Sequence, residues 1–439
     1  MSTLRVAGGR VLRPDGSVER ADVLVDRDAG VIDDVVPRDD DGTSGPAATD
    51  PDDVLDAADG LVIPGLVNAH THVAMTLLRG YADDKPLDAW LREDIWPVEA
   101  ELEPGDVRAG AELGVLEMIR SGTTAFADMY FHVPAIADAV EAGGVRALLG
   151  HTAVTVGKDE ADAAADVAES LSVAAELDGA ADGRVATAVQ PHSLTTVDEH
   201  HLRDLAAGAA EQDRPLVFHA NETTDEVDPV VAERGERPLA YADDAGLLRP
   251  GSLIAHCVHL DDAEVALLAE RDVTVVHCPA SNMKLASGLA EVQRLRDAGV
   301  SVALGTDGAA SNNDLDVFDE LRDAAMVGKV AADDAAAVPA RAAVEMATAA
   351  GADALGIDAG RVEPGRAADL AVLDLRTAHL TPDHDLLSHL AYAARGSDVR
   401  HTVCDGRVLM RDREVLTLDA AAVRERATER ARALVTRAN

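Results

Sequence analysis

The chain has 439 residues, 47% of them hydrophobic but only 2% aromatic, so a sizeable core must be built from Val, Leu, Ile and Ala. Acidic residues outnumber basic ones 80 to 39, for a net charge of −41; this argues against nucleic-acid and anionic-membrane partners, which need basic patches. Three cysteines, Cys257, Cys278 and Cys404, form no C-x-x-C pair and exclude a disulfide framework.

Such a length exceeds the usual domain, unless one unit is an α/β barrel of about 250 residues or more. The N-terminus lacks a basic start followed by an apolar stretch, and no apolar run approaches membrane-spanning length. A cytoplasmic protein is the expectation. The acid is spread along the chain, as in Asp39 to Asp41 and Asp159, Glu160 and Asp162, which suits a salt-rich cytoplasm. Self-repulsion is screened in salt, so the melting temperature is expected to rise between low and molar salt. A thermal melt showing no rise would remove the halophilic reading.

From Leu4 to about Ala58 the chain has short β-like pieces, LRVAGG, RVLRPDG and ADVLVD, followed by an acidic Gly/Pro-containing loop over Arg38 to Asp53. Eight apolar strand candidates follow. They are Leu61–His72, Thr123–Met129, Val145–His151, Val185–His192, Pro215–Ala220, Ser252–Cys257, Val273–Cys278 and Val300–Asp307. Helix-compatible segments separate them, among them Ala135–Ala142, Glu160–Leu177, Asp198–Ala207, Asp261–Glu270 and Leu289–Asp297. Continuous apolar strands alternating with helices predict an α/β chain with a (β/α)8 TIM barrel; an open doubly wound sheet is the competing architecture. Strand texture returns at Ala367–Leu375 and Thr402–Thr417, and Gly9-Arg10-Val11-Leu12 recurs as Gly406-Arg407-Val408-Leu409. Both ends are therefore expected to form one small β-sandwich domain. The expected division is 1–60 and 361–439 for the sandwich, the latter closing on a helix over Asp419–Ala438, and 61–360 for the barrel.

Most of the strand candidates end on His or Asp: His70 and His72, Asp128, His151, His192, His219, His256, His277 and Asp307. In a barrel those ends open onto one face, where active sites sit. A lone H-x-H, or a single strand-end histidine, discriminates little between structure and function. Their shared placement among only 15 histidines carries the inference. His70, His72, His219 and Asp307 offer three imidazoles and a carboxylate, a set suited to one divalent ion, Zn²⁺ foremost, with iron or manganese open. Such a site would make the proton of a bound water labile near neutral pH. Glu222, three residues past His219, is close enough in sequence to shuttle protons.

These residues lie in PGLVNAHTHVAMTLLRG, DAWLREDIWPVEA, SGTTAFADMYFH, QPHSL, HANET, AHCVHL, HCPASNMKL, GTDGAASNN and VEPGRAADLAVLDL. Across nearly its whole length the chain resembles the amidohydrolase superfamily, in the branch of 5-methylthioadenosine/S-adenosylhomocysteine deaminases. The resemblance implies a barrel interrupting a terminal β-sandwich, and a homo-oligomer is expected. It implies His70, His72, His219 and Asp307 as metal ligands, His256 positioning the attacking hydroxide and Asp307 taking its proton. Glu222 would protonate the purine ring nitrogen, Glu99 would bind the ribose hydroxyls, and His192 would be a second substrate contact. The implied reaction converts an adenine nucleoside to its inosine analogue with loss of ammonia.

One position departs from the pattern. His151 stands where some of these deaminases have an arginine suited to a homocysteine carboxylate, which favours methylthioadenosine or 5′-deoxyadenosine over S-adenosylhomocysteine. A related hydrolase of guanine, cytosine or a triazine, and a non-catalytic nucleoside-binding protein, are the alternatives. His132, His259 and His277 are weaker candidates, Cys257 and Cys278 are expected in the core, and the segment carrying Trp90 and Trp96 could cover the pocket.

Overall fold

Eight parallel strands follow the predicted order in a computed structural model, which describes residues 2–38 and 52–439. They are Leu66–Thr71, Thr123–Tyr130, Arg146–Ala153, the broken strand Val185–Thr187 and Gln190–Pro191, Val217–Ala220, Leu253–His256, Thr274–His277 and Ser301–Leu304. The first four pair in parallel with one another, and the last four form a second parallel sheet. Isolated parallel bridges Val189–Leu216 and Ser193–His219 link the fourth strand to the fifth. The Asp307 amide donates to the His70 carbonyl at 3.0 Å, linking the eighth to the first. Gly305 makes that approach possible, because a Cβ there would stand 2.8 Å from the His70 carbonyl oxygen.

Small side chains of these strands, Ala69, Ala125, Ala127, Val217, Val276 and Ala303, share one buried cluster. Phe126, Leu149, Phe218 and Ile254 join a larger one with the helices. Both strand faces are thus covered, which is why alternation is missing from the sequence. Each fully buried Leu, Ile, Val or Phe contributes roughly 1.5–3 kcal/mol. The expected helices are present as Val133–Gly143, Glu160–Glu176, Glu199–Glu211, Asp262–Arg271 and a shorter Val292–Asp297. The last starts three residues later than expected, with Glu291 at its N-cap outside helical geometry (φ −81°, ψ 60°).

Two strand expectations change. Leu61–His72 divides at Gly65: Gly60–Pro64 runs antiparallel to Leu370–Asp374, whereas Leu66–Thr71 runs parallel to Thr123–Tyr130. A Cβ at Gly65 would lie 2.2 Å from Thr124 Oγ1, so glycine allows the chain to pass from one sheet to the other. Both halves are buried throughout, and the apolar run therefore hides the break. Val185–His192 is interrupted at residues 188 and 189, which hydrogen-bond instead to Leu149 and Pro215.

Gly60–Pro64 joins a ten-stranded sheet containing Thr3–Ala7, Arg10–Leu12 and Val18–Asp26 from one end of the chain and Leu370–Asp374, Val399–Cys404 and Arg407–Arg411 from the other. Its own small core includes Val6, Val23, Ile32, Val62, Leu370 and Val403. The two Gly-Arg-Val-Leu copies lie in this sheet but do not pair, since three strands separate Arg10–Leu12 from Arg407–Arg411. The acidic run Asp39 to Asp41, and the loop around it, lies outside the described residues.

The final helix, Ala420–Ala438, is capped by Asp419, whose Oδ1 accepts from the Ala421 and Ala422 amides at 3.0 Å. It packs on Pro104–Ser121, burying Val423, Ala427 and Leu434 and pairing Arg430 and Arg437 with the fully buried Asp106. Among the described residues no helix is long and apolar enough to cross a membrane.

Candidate metal centre

Strand ends of the two parallel sheets bring five polar residues together. His70, His219, His256 and Asp307 each offer a donor atom within 4.8 Å of the others. His72 enters through Asp307, its Nε2 lying 3.1 Å from Oδ1. His70 Nε2 is 3.6 Å from the same oxygen and 3.1 Å from His219 Nε2.

Outer contacts fix which ring nitrogen faces inward. His72 Nδ1 donates to the Met129 carbonyl at 2.5 Å, His219 Nδ1 to the His192 carbonyl at 2.8 Å, and His256 Nδ1 to Asn282 Oδ1 at 2.9 Å. With Nδ1 bonded outward, Nε2 is the nitrogen that each of these rings turns into the group around Asp307, and in a neutral ring it carries the lone pair. Lone pairs converging on an anion repel unless a cation lies among them, and imidazole plus carboxylate is the donor chemistry of a Zn²⁺-like ion. The residues present therefore fit a divalent metal.

Asp307 and burial pull the titration of these rings in opposite directions. Burial pushes the Asp307 carboxyl up, but hydrogen bonds from His70 and His72 outweigh it and hold the group well below the usual carboxylate range. Burial depresses His70 to about 4 and takes His219 well below the ordinary imidazole value. His72 goes the other way, to about 9, because Asp307 outweighs its burial.

Asp307 is oriented from behind. Its Oδ2 accepts from Ser281 Oγ at 2.6 Å and Ser311 Oγ at 2.7 Å, leaving Oδ1 for the histidines. Ser311→Ala is expected to weaken metal affinity by roughly tenfold to a hundredfold, the usual effect of losing such a support. Competition with a chelator measures it, and an unchanged affinity would make the serine incidental. Left-handed backbone at His256 (φ 73°), Cys257 (φ 48°) and Asp307 (φ 60°) marks the same strand ends; such conformations cost about 1–3 kcal/mol each where the side chain does not favour them.

Glu222 stands beside this group. Its Oε2 is 3.6 Å from His256 Nε2, and Ser287 Oγ donates to Oε1 at 3.1 Å. Burial raises the Glu222 carboxyl above its ordinary value, with His256 opposing. Burial pulls His256 down, but Glu222 and Asp307 outweigh it and raise the imidazole.

Glu99 ends the helical turns that begin at Leu87, and Tyr130 Oη donates to it at 2.7 Å. Burial lifts its carboxyl to about 7. The Tyr130 ring lies 6.2 Å from that of His72, so Glu99 borders the centre. Trp90 is buried, donating from Nε1 to the Ala82 carbonyl, and Arg92 sits 5.6 Å over the Trp96 ring. The His192 ring is 4.8 Å from that of His219, and its Nδ1 meets Thr196 Oγ1 at 2.8 Å.

His151 is placed differently. It turns toward the helix Glu160–Glu176, with Nε2 3.0 Å from Asp166 and Nδ1 3.5 Å from Glu169. His132 and His259 bond the Leu102 and Ser287 carbonyls. His277 is buried with neither ring nitrogen hydrogen-bonded among the described residues, and all three cysteines are buried and free. Sequence reasoning passed over Tyr130, Ser281, Asn282, Ser287 and Ser311. All but Ser287 lie inside the motifs quoted above, and that proximity was the available signal.

A model of the amidohydrolase family matches residues 61–409. The chain belongs to that family. It is 68% identical over 438 residues to an amidohydrolase named 5-methylthioadenosine/S-adenosylhomocysteine deaminase from Haloarcula marismortui, covering 100% of both chains. It is 46% identical over 376 residues to a 5′-deoxyadenosine deaminase from Methanothermobacter thermautotrophicus, covering 86% of this chain and 88% of the other. Among solved structures, an adenosine deaminase from Xanthomonas campestris with bound zinc superposes with a TM-score of 0.92 at 37% identity, covering 99% of each chain.

Proposed function

We propose that this amidohydrolase is a metal-dependent deaminase of adenine nucleosides, acting on 5-methylthioadenosine, 5′-deoxyadenosine or S-adenosylhomocysteine to give the inosine analogue and ammonia. The observation that carries this reading is the convergence of His72, His219 and His256 on Asp307, with Glu222 alongside. The names of its relatives supply the substrate class. Zn²⁺ is the proposed ion, held by His70, His72, His219 and Asp307. The proposed architecture is a (β/α)8 barrel over 61–360, entered at Gly65, with a β-sandwich made from 1–60 and 361–439.

The ion, when bound, would polarise water and ease its deprotonation. Asp307 takes the water proton on Oδ1 while His256 orients the attacking oxygen at C6. Glu222, protonated on Oε2, gives that proton to the adjacent ring nitrogen. Asp307 then returns its proton to the amine, the C6–N bond breaks, and ammonia leaves. The hydroxyl proton of the adduct restores Glu222, so one water is consumed per ammonia released. Glu99 receives the ribose hydroxyls, with His192 as a further contact.

His151 bears on the 5′-substituent. Asp166 and Glu169 flank it and Lys158 pairs with Asp166 at 2.9 Å, so the nearby cation is already engaged by an acid and is not free for a homocysteine carboxylate. Methylthioadenosine and 5′-deoxyadenosine are therefore proposed as better substrates than S-adenosylhomocysteine. Incubation in molar salt with these three and adenosine tests both statements. Ammonia release is expected, slowest from S-adenosylhomocysteine; no ammonia from any of them would reject the deaminase.

A further inference from the structure

A second cluster of metal-ligating groups lies on two helices away from the strand ends. Glu160 opens the helix Glu160–Glu176, and His200 and His201 stand in the first turn of Glu199–Glu211. His200 Nε2 is 3.5 Å and His201 Nε2 3.9 Å from the same oxygen, Glu160 Oε1. The two imidazoles lie against each other with centroids 3.8 Å apart and planes tilted by 36°. Each of the three residues offers one donor atom within 4.8 Å of the others.

His201 separates this group from an ordinary surface cluster. It is only 3% exposed, yet Nε2, the nitrogen turned toward Glu160, lies 3.9 Å from that carboxylate, too far for a hydrogen bond. The other ring nitrogen, Nδ1, faces Asp198 Oδ2 at 3.9 Å, also too far. A buried imidazole left unbonded is costly. Separations of 3.5 and 3.9 Å suit donors about 2.0–2.2 Å from a shared ion.

We propose that Glu160, His200 and His201 form a second, surface site for a borderline divalent transition ion, clipping the starts of the two helices together. Imidazole ligands favour Zn²⁺, Ni²⁺ or Cu²⁺ over Mg²⁺ or Ca²⁺, so selection by ligand type holds even in concentrated salt. Glu160 and His200 remain accessible, with 79% and 58% of their side chains exposed. This site is independent of the deaminase reading.

The test uses the full-length protein stripped of metal, loaded with a single equivalent of Zn²⁺ in metal-free molar KCl, then titrated with Ni²⁺ while bound ions are counted by mass spectrometry. Wild type is expected to bind one Ni²⁺ beyond the ion already held, with a rise in melting temperature. His200→Asn and Glu160→Gln should each weaken the Ni²⁺ binding at least tenfold while retaining the first ion. Both sites of substitution are exposed, and far-ultraviolet circular dichroism checks that the variants are folded. Uptake of no extra ion by wild type, or undiminished uptake by both folded variants, overturns the proposal.

Discussion

Asp307→Asn is expected to release the metal from the purified protein and to lower turnover by on the order of 10⁴. The amide nearly keeps the shape of the carboxylate, so Ser281 and Ser311 retain a partner, while the negative charge facing His70 and His72 disappears. The imidazoles are then left without the anionic donor that completes the set for a divalent ion. The proposed proton acceptor for the attacking water is lost in the same substitution. Metal content and ammonia release, measured on one preparation, separate the two effects. A variant that keeps a stoichiometric ion and more than a tenth of wild-type turnover would leave Asp307 neither ligand nor base.

Glu222→Gln is expected to act on chemistry alone, lowering kcat by about 10²–10⁴ with metal content unchanged. Ser287 donates to Oε1, which leaves Oε2, facing His256 Nε2, as the oxygen for the proposed proton transfer. Burial raises the carboxyl above its ordinary value of 4.5, keeping the acid form in use at higher pH than a free glutamate would allow. The sign follows from the role: the donor must be protonated, so wild-type kcat falls as pH rises through the Glu222 pKa. Glutamine neither donates nor titrates, and the alkaline limb should vanish with most of the rate. A variant whose pH profile keeps that limb would assign it to another group.

Much of the site was legible before folding because its residues sit where apolar strands end. His70, His72, His219, His256 and Asp307 each close a run of Val, Leu, Ile or Ala, and buried strands announce themselves by such runs. The same signal misled at Leu61–Pro64. That piece is as buried as Leu66–Thr71, so nothing in its composition shows that it serves another sheet. His151 also closes an apolar strand, yet faces Asp166 and Glu169 on a helix. A one-dimensional pattern gives the position along a strand; the direction of the side chain also depends on twist, bulges and breaks in the ladder, such as the register shift after Asn68.

By itself the sequence determined the alternation of strands and helices, the ligand types and the acidic surface, since these depend on composition and local order. Only the tertiary structure decided which imidazole nitrogens face inward, because Met129, His192 and Asn282 accept the outer protons across 57, 27 and 26 residues. It also decided that Tyr130 holds Glu99, that two serines aim Asp307, and that His200 and His201 share one carboxylate with Glu160. Hydrogen bonds of this kind form between groups distant along the chain, and no spacing within one segment encodes them.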